Sequence, residues 1–194
     1  MRRRLGRLTR VLQAVRTGLR YEELSRIKFF SGLGDSAAWI LFGLVRALKP
    51  EVCVEIGAAR GKSACYIAMA LRENGRGVLH SIDPHTLTAW NDAESVDTYE
   101  LFGRNVRRLG LSGFVKVQRA MSTDVMATWN APIDVLFIGG DHSYEGVRHD
   151  WDSSRPSFDP SGWSCVTTRY GTSVQIRDMR GARWGSHASS RASA

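Results

Sequence analysis

The chain has 194 residues, an ordinary apolar fraction of 43% and a net charge of +8. That length supports one domain with a substantial core. Three cysteines, Cys53, Cys65 and Cys165, show no paired spacing, which excludes a disulfide framework or a cysteine zinc cluster and suits a reducing cytosol. No stretch is long and apolar enough to span a bilayer, and no apolar core or cleavage site follows the basic start, so the expected location is cytoplasmic. Arginines crowd the first fifty residues and recur after Asp152, whereas residues 51–152 are acidic on balance. That distribution argues against a nucleic-acid partner.

In chain order, Leu5, Leu8, Val11, Leu12, Val15 and Leu19 recur at helical spacing among arginines. They predict a basic amphipathic helix. Packing on its own domain is the preferred reading of this helix. The other is peripheral contact of residues 2–20 with an anionic membrane. A connector follows to Gly34. Asp35 is placed to cap a helix over residues 36–48, with Ala38, Ile40, Leu41, Leu44 and Leu48 toward a core and Pro50 after it.

Strands and helices then alternate. Val52, Val54 and Ile56 mark a buried strand, Gly57 and Gly61 a turn, and Tyr66, Ile67, Ala70 and Leu71 the helix that follows. Residues 77–83 read as a second strand ending on Asp83 and stopped by Pro84, and residues 85–95 as a polar loop. Tyr99, Leu101, Phe102, Val106 and Leu109 indicate a helix, residues 114–118 a third strand, and residues 125–129 a short helix. Ile133–Ile138 is the fourth strand, and a helix over residues 144–151 follows Gly139-Gly140-Asp141-His142. This alternation predicts an α/β fold with a parallel, doubly wound sheet.

Three readings compete for the glycine turn. A phosphate-binding P-loop needs four residues between its first glycine and Gly-Lys-Ser, but Gly57 to Gly61 encloses three. Lys62-Ser63 is therefore a weak signal for a nucleoside-triphosphate binder. The dinucleotide pattern lacks its middle glycine. What remains is Glu55-x-Gly57-x-x-x-Gly61. Glu55 could accept a hydrogen bond or order the turn beside a cationic ligand. Asp83 stands where a carboxylate accepts hydrogen bonds from both ribose hydroxyls.

Together these features resemble the class I S-adenosylmethionine-dependent methyltransferases, with a Rossmann-like sheet. Residues 137–147, Phe-Ile-Gly-Gly-Asp-His-Ser-Tyr-Glu-Gly-Val, are similar to a family whose fourth strand ends Phe-Ile-Asp-Gly-Asp-His. The resemblance covers roughly residues 35–152. It implies O-methylation of a small molecule or glycan, with S-adenosylmethionine held by Glu55, Gly57, Ala58, Gly61, Ser63, Asp83 and Ser122. Ser122 would lie near the adenine or serve only as a helix cap. Asp141 and His142 are the implied catalytic pair: His142 as general base, Asp141 orienting a metal or acceptor. Alternatively, Asp141 caps the next helix and His142 packs locally. Cys53 and Cys65 read as core, His149 and Asp150 as a solvated helix face.

Two departures limit the resemblance. Gly139 stands where metal-dependent relatives carry a magnesium-binding carboxylate, so no metal ligand is assigned here. After Asp152 the composition changes: residues 153–194 contain no Leu, Lys, Glu or Asn. Read one base earlier with GC-rich codons, residues 153–168 can spell an apolar segment, a Pro-x-Gly turn, a strand and a His-Asp end. A reading-frame slip near Asp152 is thus expected. The implied organisation is a basic helix and connector over 1–34, a cofactor domain over 35–152, and a poorly ordered tail over 153–194. The sheet would be incomplete at its C-terminal strands, and a degenerate, non-catalytic relative is the alternative. The sequence leaves oligomeric state open.

Overall fold

The computed structural model describes residues 21–29, 31, 33–86, 98–167 and 174–178. The predicted helix over 2–20 lies outside them. Residues 21–26 are helical (α1). Next come α2 (Asp35–Leu48), β1 (Val52–Ile56), α3 (Lys62–Asn74), β2 (Val78–Ile82), α4 (Thr98–Arg108) and β3 (Val115–Gln118). The chain continues through α5 (Ser122–Ala127), β4 (Ile133–Ile138), α6 (Tyr144–Ser154), β5 (Phe158–Thr167) and β6 (Val174–Asp178).

The sheet order is β3-β2-β1-β4-β5-β6. Strands β1 to β5 pair in parallel, and β6 returns antiparallel to β5. The chain builds outward from β1 through β2 to β3, then crosses back to lay β4 on the other side of β1. The topological switch point of this doubly wound sheet therefore falls between β1 and β4, where open α/β sheets bind ligands at their carboxyl ends.

Alternation along the central strands divides two cores. Cys53, Leu79, Val135 and Phe137 face a cluster with residues of α2, α3 and α4, and Val54, Ile56, Ile82, Leu136 and Ile138 face Met126, Val147 and Trp151. Every residue of α3 from Ser63 to Leu71 is buried. Its surroundings are apolar nearly all round, because α2 covers the side that the sheet does not.

Several expectations are corrected. Asp35 does not cap α2: Gly34 holds the cap position and makes no side-chain cap bond. Asp35 is instead paired with Lys62 at 2.7 Å. Ile40 is 47% exposed, and the buried stripe of α2 is Ala37, Ala38, Leu41 and Val45. The short helix after β3 begins at Ser122, three residues earlier than its apolar residues suggest, with Met121 at its cap. The expected lack of regular structure beyond Arg155 does not hold for residues 158–167 and 174–178. Parallel pairing of Val135 with Trp163 and of Ile138 with Val166 draws the first of these segments into the sheet, and the second pairs with the first.

Phe102 is fully buried, and its ring meets Gly61 at the start of α3. Phe102→Ala should destabilise the chain by about 3–5 kcal/mol, read from the midpoint shift in urea unfolding. A loss below roughly 1 kcal/mol would contradict this packing of α4 on the turn.

Candidate cofactor site

The turn after β1 touches the turn after β4 through bare backbone. Gly57 has φ +85, and a Cβ there would lie 2.3 Å from Gly140 Cα and 2.6 Å from Gly139 C. Only glycine permits both the left-handed conformation and that approach. Gly57 N–H donates to Ile82 O at 2.9 Å, and Gly139 N–H to Ile56 O at 2.8 Å. Both ladders thus run one residue past their strands and fix the turn from two sides. Gly61, also at φ +85, caps α3.

Asp83, the residue after β2, orders this turn. Its Oδ2 accepts from Ala58 N–H and from Ala59 N–H, each at 2.8 Å, and its Oδ1 accepts from His85 N–H at 2.7 Å. The first two bonds hold Ala59 at φ +44, a left-handed conformation uncommon for alanine. A carboxylate has about four lone-pair sites, so roughly one acceptor position remains, on Oδ1.

Glu55 does not order the turn. It is fully buried within β1, paired with Ser81 in the parallel register, and its Oε2 accepts from Ser81 Oγ at 2.6 Å. Its Oε1 has no hydrogen-bond partner. Burial pushes its pKa up to about 7, while the Ser63 and Ser81 hydroxyls pull it down and Asp83 pushes it further up. Near neutral pH this carboxyl is poised between its two forms, beneath the start of α3.

At the end of β4, Asp141 spends both oxygens locally: Oδ1 accepts from Ser143 N–H at 2.8 Å and Oδ2 from Ser143 Oγ at 2.9 Å. Ser143, not Asp141, caps α6, accepting from Gly146 N–H. His142 is exposed and so does not pack locally. Ser122 is no cap either, since Met121 takes that place; its hydroxyl donates to Asp150 Oδ1 at 2.6 Å. Asp150 is 7% exposed, which corrects its reading as a solvated face, whereas His149 is exposed. Burial raises the Asp150 pKa, opposed by the Ser122 hydrogen bond.

The donor set does not fit a divalent metal after β4. Gly139 carries no ligand atom, a Cβ there would start 2.9 Å from the Phe137 ring, and Asp141 is already engaged. Among the described residues no group of three or more His, Cys, Asp or Glu could hold an ion. The residues around Gly57 do fit an adenosyl cofactor: a glycine turn open to close approach, an acceptor left on Asp83 and a buried carboxyl oxygen without a partner. Lys62 is committed elsewhere. Its Nζ donates to Leu33 O at 2.6 Å and pairs with Asp35, pinning the connector to α3.

The structure thus gathers Glu55, Gly57, Ala58, Gly61, Ser63 and Asp83 around one turn. Ser122 follows β3, and Asp141 and His142 follow β4. Sequence reasoning missed Ser81, His85 and Asp150. The parallel register opposite Glu55 would have pointed to Ser81. Nothing in the periodicity marks the other two.

Glu55 keeps its proton to about pH 7 in the folded chain, against an ordinary value of 4.5. Between those values the unfolded chain binds fewer protons. Stability should therefore fall as pH rises through that window, by on the order of 3 kcal/mol. Glu55→Gln should remove most of that fall and raise the melting temperature at pH 8 relative to wild type. Parallel melting profiles from pH 4.5 to 8 for the two proteins would refute the assignment.

Comparisons with known proteins agree with this geometry. A family model described as a methyltransferase domain matches residues 54–166, from β1 into β5. Solved structures with the same fold include a putative O-methyltransferase from Klebsiella pneumoniae, 17% identical with TM-score 0.56, covering 69% of this chain and 56% of that one. A second is an O-methyltransferase from Streptomyces achromogenes involved in tomaymycin synthesis, in complex with S-adenosylmethionine (17% identity, TM-score 0.56, 77% and 62% coverage). A third, from Bacillus cereus, is in complex with S-adenosylhomocysteine (16% identity, TM-score 0.59, 86% and 73% coverage). The chain spans little more than half the length of the first of these. With more than half of its residues matched by the family model, and the β1 turn and switch point built as described, the chain belongs to this methyltransferase domain family.

Proposed function

We propose that the chain binds S-adenosylmethionine over the β1 turn and transfers its methyl group to an oxygen of a small molecule. The single observation that carries this reading is the Asp83 carboxylate, which holds the Gly57 turn open and keeps an acceptor position on Oδ1. The likeness to O-methyltransferases solved with the cofactor or its product supports it. A glycan acceptor is the other form of this reading, and the membrane contact considered for residues 2–20 concerns a segment outside the described residues.

S-adenosylmethionine would supply an activated methyl on a sulfonium. The chain's own residues supply position. Gly57, Ala58 and Gly61 let the ligand approach the backbone. Asp83 Oδ1 would accept from the ribose, and Glu55 and Ser63 lie beneath the turn. Ser122, held by Asp150, is assigned to the adenine side. Alignment of donor and acceptor contributes much of the rate of such an in-line transfer. We assign to His142, exposed after β4, the role of taking the acceptor's proton. We assign Asp141 to holding Ser143 and the start of α6, and so to presenting His142. No step is routed through a metal.

A second reading, a degenerate relative that binds cofactor without turnover, is favoured by Gly139 and by the altered composition of residues 153–194. The reading-frame slip near Asp152 belongs to that reading. Codons unable to spell the alternative segment for residues 153–168 would remove it.

Calorimetry should show binding of S-adenosylhomocysteine to the full chain. Asp83→Ala, which frees two turn amides and removes the acceptor, should weaken it by tenfold or more, on the order of 1.4 kcal/mol. Unchanged affinity would contradict the site. Methyl transfer to a catechol or hydroxycinnamate panel then separates an enzyme from a binding relic. Tight ATP binding abolished by Lys62→Ala would favour the triphosphate reading instead.

A further inference from the structure

His85 lies two residues beyond β2, at φ +51, with its side chain fully buried. Histidine is among the few non-glycine residues enriched in that left-handed region, but a ring so enclosed there needs a reason. Its surroundings supply one. The ring edge meets Tyr99 at 5.3 Å and Phe102 at 5.7 Å between centroids, both in T-shaped contact from α4. Nδ1 lies 3.0 Å from Thr98 Oγ1 and 3.9 Å from Asp83 Oδ1. The main-chain N–H of the same residue donates to that Oδ1 at 2.7 Å.

The two oxygens of Asp83 are therefore not equivalent. Oδ2 is filled by Ala58 and Ala59 N–H, so any ligand hydroxyl must use Oδ1. Oδ1 is the oxygen that His85 grips through its amide and faces with its ring. The left-handed backbone brings the amide back onto the preceding carboxylate, and the aromatic pocket on α4 holds that backbone in place. Arg119 reinforces the same corner, with its guanidinium over the Tyr99 ring at 5.0 Å.

We propose that His85 is a positioning residue that fixes Asp83 Oδ1 as the acceptor for a ribose hydroxyl, and so helps the chain distinguish a ribonucleoside cofactor from its deoxy analogue. This rests on the cofactor reading above. His85 touches no reacting atom; it acts through Asp83.

The test compares S-adenosylhomocysteine with its 2′-deoxy and 3′-deoxy analogues by calorimetry on the full chain, in wild type, His85→Asn and Thr98→Val. Asparagine tolerates the left-handed backbone and lacks the ring. Thr98→Val removes the partner of the ring nitrogen without touching residue 85. Wild type should prefer the ribose form over at least one analogue by about tenfold, one hydrogen bond to a charged acceptor. Both variants should lose much of that ratio while binding the analogue nearly as wild type does. A merely structural role would lower the melting temperature and weaken all three ligands in parallel. That parallel loss, or an unchanged ratio, overturns the proposal while leaving the cofactor reading intact. Failure of wild type to bind S-adenosylhomocysteine overturns the cofactor reading, and this inference with it.

Discussion

Gly57 and Gly140 meet with no room for a methyl group between them, and the rest of the site follows from that contact. Because the turns after β1 and β4 are pressed together, β1 must be central, with β2 on one side and β4 on the other. The switch point is thereby closed at its floor by main chain. A side chain at position 57 would push the two turns apart and carry with them Gly139 N–H and Gly57 N–H, which extend the two ladders. The site is a consequence of backbone meeting backbone, and its side chains are arranged around that fixed point.

Two carboxylates flank the turn and meet different surroundings. Asp83 accepts three main-chain N–H bonds, from Ala58, Ala59 and His85. Glu55, one strand away, is sealed in the core beside the Ser63 and Ser81 hydroxyls with its Oε1 unpartnered, and burial drives it toward its neutral form. The difference comes from position along the strand. Glu55 stands inside β1, where neighbouring strands take the backbone hydrogen bonds. Asp83 stands beyond β2, where turn amides still need acceptors. One carboxylate therefore builds the turn, and the other sits below it as a stored cost that a bound cation could offset.

The same distinction separates what sequence reasoning reached from what it missed. Ile133–Ile138 was legible to the residue because a short apolar run between polar turns has few alternatives. Gly57 and Gly61 were legible as a turn because left-handed backbone selects glycine. Asp150 was not, because the helical pattern that exposes His149 says nothing about Ser122 arriving from another helix. Asp141 was legible as a feature of the loop, but its role was not: whether an aspartate or the serine two residues on caps a helix depends on where the helix starts. The tail was read from composition as lacking strands, and β4 has nevertheless gathered a parallel neighbour from it, since an apolar strand left unpaired offers a full row of hydrogen-bonding groups.

By itself the sequence determined the order of strands and helices from α2 to α6, the glycine turn and the acid that ends β2, since periodicity, left-handed backbone and chain breaks are local properties. The tertiary structure alone decided which carboxylate holds the turn, which serine pairs with Glu55 and why a histidine is buried at φ +51. Those outcomes depend on atoms far apart in the chain meeting within hydrogen-bond distance, and on which of them water can still reach. Neither is written in the spacing of residues along one strand.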